Sequence, residues 1–135
     1  MSYDWSSPRA VRYPLSSEKG YVRNVPAVFR SADVFAFPTL EEGSALVVYE
    51  AMASGLPGLY SPMGAGMVAR HEQDGYVMDP YDEEAWVAAL RRLAGDRELR
   101  QRLGKSAQER AQEFTWPKVG RQRSELWLKA FAKSV

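Results

Sequence analysis

The chain has 135 residues, a formal net charge of +1 from 18 Lys and Arg against 17 Asp and Glu, and no cysteine. This length favours one domain with a sizeable core, the charge balance disfavours nucleic acid or an anionic membrane as partner, and disulfides and thiolate metal sites are excluded. Because no apolar run approaches the roughly 20 residues of a membrane span and the N-terminus lacks a signal-peptide core, we expect a soluble, cytoplasmic protein.

The first part of the chain predicts little regular structure. Residues 1–19 are interpreted as an N-terminal extension, and the domain proper is expected to span residues 20–135. "VRYPL" is a possible edge strand, because its proline removes a backbone donor, and "GYV" predicts a second short strand. "NVPAVFRSAD" predicts a short helix that Asn24 caps and that has Pro26 in its first turn.

Short strands and helices then alternate. "DVFAFP" (Asp33 to Pro38) is almost wholly apolar, which suits a strand covered on both faces. A helix is expected from Ser44 to Ser54, and Gly55 is a good stop for it. "PGLYS" and "DGYVMD" predict further strands, separated by the turn "PMGAGM" and a short helix to His71. This order predicts an α/β fold, in which a parallel sheet of about four or five strands is flanked by helices.

The C-terminal part is predicted to be helical. Amphipathic helices are expected after Asp82 and again after Asp96, which can cap the second. "FTWPKV" interrupts the pattern before a last helix that carries several aromatic side chains. Trp116, Trp127 and Phe131 either pack on the chain's own sheet or form an interface with another copy or a partner chain, since exposed apolar patches tend to mark interfaces.

Several conspicuous side chains are given ordinary interpretations. His71, the single histidine, is expected at the surface, because no acidic or nucleophilic partner can be placed beside it. Met63, Met67 and Met78 are expected to be packing residues. The basic residues between Arg91 and Arg110 alternate with acids at helical spacing, which predicts a solvated helix face rather than a nucleic-acid site.

The stretch "PTLEEGSALVVYEAMASGLP" predicts a strand, a loop and a helix. Its loop lies at the carboxyl end of a parallel strand, which is where ligands bind in open α/β sheets. Gly43 has no side chain, so a ligand can approach the backbone closely. The free amides of Ser44, Ala45 and Leu46 and the helix dipole favour an anion at this point, and phosphate is the natural guest.

Two carboxylates flank this anion site. Glu42 precedes the helix, and Glu50 lies about six residues inside it, roughly 9 Å along the axis. Carboxylates repel phosphate but accept hydrogen bonds from hydroxyls, so the pattern suits a sugar joined through a diphosphate to a ribose. In the alternative interpretation, Glu42 is an acid that the helix dipole stabilises and Glu50 is a solvated surface residue. Spacing alone leaves both interpretations open.

The segment "ADVFAFPTLEEGSALVVYEAMASGLP" resembles the donor-binding region of group 1 (family 4) retaining glycosyltransferases, which have the GT-B fold. The similarity continues through "DGYVMDPYDEEAWVAALRRLAGDRELRQRLGKSAQERAQEFTW" and covers about Gly20 to Val119. Its specific elements are two glutamates separated by seven residues, the "EAM" that begins with the second of them, and the "GLP" that follows. The resemblance implies part of the Rossmann-like C-terminal domain of a GT-B enzyme.

The resemblance also implies roles for the individual residues. Glu42 would contact the donor sugar in the catalytic site, and Glu50 would bind the ribose of the nucleotide. Residues Gly43, Ser44, Ala45 and Leu46 would meet the sugar and the diphosphate through backbone amides. The implied reaction is transfer of a hexosyl group from a nucleotide sugar with retention of the anomeric configuration, without a metal or another cofactor.

The chain departs from the family pattern at several points. Ser44 and Ala45 replace the usual Phe-Gly, and "MGAGMVAR" lacks the glutamate of the family's "GG-x-x-E" turn. "SEKG" is similar to a lysine-bearing family segment, so Lys19 is either a phosphate ligand or a solvated lysine. Full enzymes have an acceptor domain and further diphosphate-binding cations, and we therefore expect little or no transferase activity from this chain alone. The alternatives are a non-catalytic module that binds a nucleotide sugar and a structural remnant that assembles with a partner chain.

Overall fold

The computed structural model describes residues 22–132. The elements in chain order are α1 (Val25–Ser31), β1 (Phe35–Phe37), α2 (Leu46–Ala53), β2 (Gly58–Tyr60), α3 (Pro62–Ala65), β3 (Gly75–Val77), α4 (Glu83–Gly95), α5 (Arg97–Ala111), a 3-10 helix (Gln112–Phe114) and α6 (Trp116–Ala132). The strands of this part of the chain form one three-stranded parallel sheet in the order β1-β2-β3. Of the further strands that were expected, "VRYPL" lies outside the described residues, and "GYV" is described only at Val22, which is not in a strand.

The central strand of the sheet is covered on both faces. All three residues of β2 are buried, and Leu59 and Tyr60 have no exposed surface. The expectation that β1 is covered on both faces is wrong, since Ala36 is exposed. On one face, α4 and α5 pack against Leu59 of β2 and Tyr76 of β3. This helical layer therefore covers the strands β2 and β3 and leaves the edge strand β1 open.

The other face of the sheet carries α2 and the second half of α5. Val48 and Met52 of α2 cluster with Tyr60 of β2 and with the small residues Ala107 and Ala111 of α5. The two helices approach closely near Gly104, where a Cβ atom would come within 2.1 Å of the carbonyl oxygen of Gly55. Helix α5 thus contributes to both layers and holds α2 in place over the sheet.

The two helix caps predicted from the sequence, Asn24 and Asp96, are confirmed, and Asp82 is a third cap that was not predicted. The side chain of Asn24 accepts a hydrogen bond from the Ala27 amide at the start of α1. Asp82 and Asp96 cap α4 and α5 in the same way. These residues have short polar side chains that satisfy amides left without partners in the first turn of a helix.

The segment after β2 folds differently from the expectation. Helix α3 falls on the residues that were predicted to be a turn, and the helix predicted to run to His71 is wrong. Ser61 caps α3 by accepting from the Gly64 amide at 3.0 Å, and Gly66, with φ of 54°, ends it. His71 instead makes an isolated bridge to Gly75, and its exposed position confirms the prediction of a surface histidine.

Helix α6 is largely exposed. It contains no buried residue, and Trp116, Trp127 and Phe131 are 77%, 67% and 64% exposed. Trp127 and Phe131 contact each other, with ring centroids 6.0 Å apart. The alternative in which these aromatic side chains pack on the chain's own sheet is therefore wrong.

Candidate functional site

The loops that follow β1 and β2 meet at the carboxyl edge of the sheet. Ser61, which is fully buried, joins them by donating a hydrogen bond to the carbonyl oxygen of Thr39 while accepting from the Gly64 amide. Gly64 must be a glycine here, because a Cβ atom would lie 2.8 Å from the carbonyl oxygen of Phe37. This edge is where parallel α/β sheets bind their ligands.

A cavity of about 190 Å³ opens between these loops and the start of α2. One wall consists of the loop from Gly43 to Ala45 with Val48 and Tyr49 of α2, and the other is the segment from Met63 to Val68. Phe114 of the 3-10 helix completes the lining. The cavity thus brings together three segments that are far apart in the sequence.

Helix α2 begins without a side-chain cap. Its first residue is Leu46, so the predicted start at Ser44 is two residues too early, and the N-cap is Ala45, which has no polar side chain. The hydroxyl of Ser44 lies 3.2 Å from that of Tyr49, so it pairs with that side chain and does not cap the helix. The Val48 amide donates to the Ala45 carbonyl oxygen at 3.1 Å, whereas the amides of Leu46 and Val47 have no acceptor within residues 22–132. These two amides and the positive end of the helix dipole are therefore available to an anion.

The two predicted carboxylates lie on either side of this helix start. Glu42 is half-buried in the loop, and Glu50 is exposed on α2. Glu50 shares one helix face with the exposed Leu46 and stands about 6 Å further along the axis, closer than the 9 Å expected from a start at Ser44. Neither carboxylate has a hydrogen bond or an ion pair within residues 22–132, and neither lines the cavity.

Sequence reasoning missed two aromatic residues of the cavity. Tyr49 and Phe114 meet edge to face, with ring centroids 5.5 Å apart. The guanidinium of Arg110 lies 4.7 Å from the Phe114 ring centroid and also donates to the carbonyl oxygen of Val68. The one available signal was Tyr49 itself, which places a hydroxyl next to Glu50 in a helix whose other residues are apolar.

The methionines near the cavity are more open than expected. Met67 is 94% exposed and Met63 is 48% exposed, so the packing interpretation is wrong for both. Met78 does pack, beside the cluster formed by β2, β3, α4 and α5. Flexible, polarizable thioether side chains on a cavity wall can adapt to the shape of a bound group.

A buried ionic network supports the opposite edge of the sheet. Asp74, which is fully buried just before β3, accepts from the backbone and guanidinium of Arg70 and, at 2.7 Å, from Ser106 of α5. Burial alone would raise the pKa of Asp74, but the hydrogen bonds from Arg70 and Ser106 outweigh it and lower the pKa below its usual value. This network fastens β3 to α5 and takes no part in the cavity.

Two further observations concern metals and membranes. No group of three or more histidine and carboxylate side chains that could hold a metal ion occurs in residues 22–132. Within the same range, no helix is both long and apolar enough to cross a bilayer. Lys19 lies outside the described residues, and its phosphate role stays a prediction.

The sequence matches a known family over most of its length. The family model described as "Glycosyl transferases group 1" matches residues 18–110. A D-inositol 3-phosphate glycosyltransferase of Corynebacterium glutamicum is 38% identical over 107 residues, which are 78% of this chain and 26% of that protein. A sulfoquinovosyl transferase of Arabidopsis thaliana is 38% identical over 92 residues, 65% of this chain and 18% of that protein. The chain spans about a quarter or less of these relatives.

Solved structures have the same fold. Sucrose-phosphate synthase from Thermosynechococcus elongatus superposes with a TM-score of 0.69 at 31% identity. The match covers 78% of this chain and 27% of that structure. Anabaena HepE, solved in complex with UDP, gives a TM-score of 0.75 at 22% identity and covers 82% of this chain and 31% of that structure. The second likeness bears on the fold alone.

Proposed function

Because this chain belongs to the group 1 glycosyl transferase family, we propose that it is the donor-binding portion of a retaining glycosyltransferase that transfers a hexosyl group from a nucleotide sugar. The family resemblance and the partial GT-B fold are confirmed by the family match and the superposed structures. Donor binding and retention of configuration go beyond those comparisons. Donor binding is supported by the geometry at the start of α2, and retention is what the family resemblance implies.

The observation that supports donor binding best is the uncapped N-terminus of α2, which lies between two carboxylates that have no partner within residues 22–132. The diphosphate of the donor binds at the first amides of the helix, next to the Gly43 to Leu46 segment. Glu50, exposed one turn along the same helix face as Leu46, accepts hydrogen bonds from the ribose hydroxyls. Glu42, in the loop before the helix, accepts from the hydroxyls of the transferred sugar.

The same geometry suits the chemistry of transfer. When the bond between the anomeric carbon and the phosphate oxygen breaks, negative charge develops on the leaving diphosphate. Backbone amides fixed at the end of a helix stabilise that charge without reorganising during the reaction. Glu42 holds the sugar so that its anomeric carbon faces the acceptor, which is the contribution of orientation to catalysis.

Calorimetric titration of the 135-residue chain with the glucose derivatives of UDP, GDP and ADP tests this proposal. We expect one of them to bind with a dissociation constant below 1 mM, which corresponds to about 4 kcal/mol. Glu50→Ala should weaken that affinity about tenfold or more, because hydrogen bonds to a charged group contribute roughly 1.5–3 kcal/mol. Glu41→Ala, a neighbouring exposed glutamate, is the matched control and should leave it unchanged. Absence of binding by all three donors would contradict the proposal.

We propose that the acceptor is bound by a separate domain or by a partner chain. The chain spans only about a quarter of the relatives it matches, and α6 presents an exposed aromatic face that a partner chain or a second copy could cover. Light scattering after size-exclusion chromatography should detect assembly that Trp127→Ser with Phe131→Ser abolishes. A monomer in the presence of all other parts of the enzyme would argue against this role of α6.

A second candidate is a non-catalytic module that binds a nucleotide sugar. It is favoured by the cavity wall from Met63 to Val68, which carries no carboxylate where the family pattern has a glutamate. Sugar transfer by the purified chain, abolished by Glu42→Ala but not by Glu41→Ala, would exclude this candidate. Donor binding without transfer, even after the rest of the enzyme is supplied, would favour it.

A further inference from the structure

The cavity beside α2 has the size and the lining for one aromatic ring. Its volume of about 190 Å³ exceeds the roughly 150 Å³ that holds a benzene molecule in a protein core. The buried side chains of Val48, Ala65 and Val68 provide apolar surface, and the lining carries no charged side chain. Tyr49 and Phe114 add two rings that meet edge to face, the arrangement that aromatic side chains prefer. The cavity therefore suits a further aromatic side chain.

The chain does not fill this cavity with a ring of its own. Ser44 stands where the family pattern has phenylalanine, and among residues 22–132 the lining includes none of α6. Helix α6 starts two residues after Phe114 and carries Phe131 roughly 22 Å further along its axis. That distance is several times the width of a 190 Å³ cavity. The exposed rings of α6 can consequently enter only the cavity of another molecule.

One face of α6 presents an aromatic pair. Arg123, Trp127 and Phe131 are four residues apart, which places them along one side of the helix. With Ser124 and Leu128 they line a groove on its surface. Trp127 and Phe131 contact each other and are both exposed. Large aromatic side chains that fill a pocket of the partner are typical anchors of protein interfaces.

The charges of the two surfaces are complementary. Helix α6 contains four basic residues and one acidic residue, a formal charge of +3, so the rest of the chain contributes −2 to the net charge of +1. Arg121, Arg123 and Lys129 have no ion pair within residues 22–132. Glu42 and Glu50 also lack partners there, and each is adjacent in sequence to a residue of the cavity lining. A basic helix with an apolar face therefore matches an apolar cavity with carboxylates beside it.

Both surfaces belong to the same chain, which allows a closed dimer. If α6 of one copy enters the cavity of a second copy, a two-fold rotation brings α6 of the second copy to the cavity of the first. Both contacts then involve the same residues, and neither surface is left to recruit a third copy. Direct pairing of two α6 helices would instead bring together two segments that each carry a charge of +3. The charges thus favour exchange over helix pairing.

From these features we propose that two copies of this chain exchange α6, so that Phe131 of each copy occupies the cavity beside α2 of the other. Trp127 then covers the rim of the cavity, and the cations of α6 face Glu42 and Glu50. This inference names a second copy as the partner of α6 and develops the assembly role that the proposed function gives to this helix. It is independent of donor binding.

Sedimentation equilibrium of the full chain without nucleotide measures the association. We expect a dimer of the 15.2 kDa chain. Phe131→Ser removes the ring and Ser44→Phe fills the cavity, so each should weaken the dimer at least tenfold. Leu126→Ser and Ser31→Phe are the matched controls, because Leu126 is exposed on another side of α6 and Ser31 is exposed outside the cavity. Both controls should dimerise like the wild type.

A mixture of the two variants distinguishes exchange from other modes of assembly. Phe131→Ser keeps an open cavity and Ser44→Phe keeps Phe131, so a mixed dimer retains one of the two contacts. The mixture should associate at concentrations at which neither variant does so alone. Wild-type dimerisation by Ser44→Phe would overturn the proposal, because the cavity would then take no part in the interface. A wild-type chain that stays monomeric would overturn it as well.

A charge variant and thermal melts complete the experiment. Glu50→Lys, at an exposed position outside the cavity, should weaken the dimer about threefold or more through repulsion of α6, and added salt should reduce this difference. If thermal melts show that Ser44→Phe does not fold, an unchanged dimer in Glu50→Lys overturns the proposal in its place. Because no donor is present, a negative result leaves the proposed donor-binding function standing, and absence of donor binding leaves the dimer standing.

Discussion

Helices α2 and α5 pack against each other, yet their N-termini are built differently. Asp96 caps α5 by accepting a hydrogen bond from the Leu99 amide at 2.8 Å. Ala45 occupies the equivalent position in α2 and offers no side-chain acceptor. The helix that only supports the fold thus has a side-chain acceptor for an amide of its first turn, whereas the helix at the candidate site has none.

The same contrast separates the two edges of the sheet. At the amino end of β3, the buried Asp74 receives hydrogen bonds from Arg70 and Ser106. At the carboxyl edge, Glu42 and Glu50 have no such partners within the described part of the chain. Polar groups that are hydrogen-bonded within the protein stabilise its fold, and polar groups without internal partners are available for binding.

The largest expected effect is on the free energy of unfolding, and it follows from a change in the Asp74 network at the amino edge of the sheet. Asp74→Ala leaves the Arg70 guanidinium and the Ser106 hydroxyl without their acceptor, and we expect a loss of about 3 kcal/mol of unfolding free energy. Removing one partner of a fully buried pair costs roughly 3–5 kcal/mol, and the lower end applies because the Arg70 side chain is 41% exposed. Urea denaturation measures the loss, and Asp33→Ala, at an exposed position, is the control. A loss similar to that of Asp33→Ala would contradict the role of this network.

The pH dependence of stability should report the same carboxylate. The folded-state pKa of Asp74 is lowered, so the unfolded chain binds this proton more readily than the folded one. Its contribution is fully present above the unfolded pKa of about 3.9 and is lost as the pH falls through the lower folded value. Denaturation curves at a series of acidic pH values should show this loss in the wild type and a smaller one in Asp74→Asn. Parallel pH profiles would refute the assignment to Asp74.

Removal of a supporting cap should have a moderate effect. Asp96→Ala removes the acceptor for the Leu99 amide, and we expect the unfolding free energy to fall by about 1 kcal/mol. Donor affinity at a temperature where the variant is folded should not change, because Asp96 lies outside the cavity. If the binding free energy of the donor changed by more than the free energy of unfolding, the result would contradict the assignment of a purely structural role to the Asp96 cap.

Addition of a cap to α2 should have the smallest effect on stability and the opposite sign. Ala45 has φ of −69° and ψ of 107°, which suits an N-cap, so Ala45→Asp should stabilise the fold by about 0.5–1 kcal/mol. The new carboxylate would repel the donor diphosphate, and its affinity should fall at least tenfold. Ala45→Ser, an uncharged cap, separates competition for the amides from charge repulsion. Higher stability with undiminished binding would show that these amides do not hold the donor.

The residues whose roles could be predicted are those whose roles depend only on neighbouring residues in the sequence. The capping role of Asn24 and Asp96 follows from a short polar side chain before a periodic apolar stretch. The start of α2 was misplaced because Ser44 is also a good cap by its local chemistry. Its hydroxyl is instead paired with Tyr49, one of the contacts that only the folded helix makes.

The sequence by itself determined the α/β class, the family and the order of the three strands and the longer helices, and it located two carboxylates near the start of α2, since periodicity, caps and motif spacing are properties of neighbouring residues. Only the tertiary structure decided that α6 is exposed, that Tyr49 and Phe114 meet, and that a cavity opens beside α2. A cavity is bounded by segments that are distant in the chain, and its volume depends on how far apart their packing holds them.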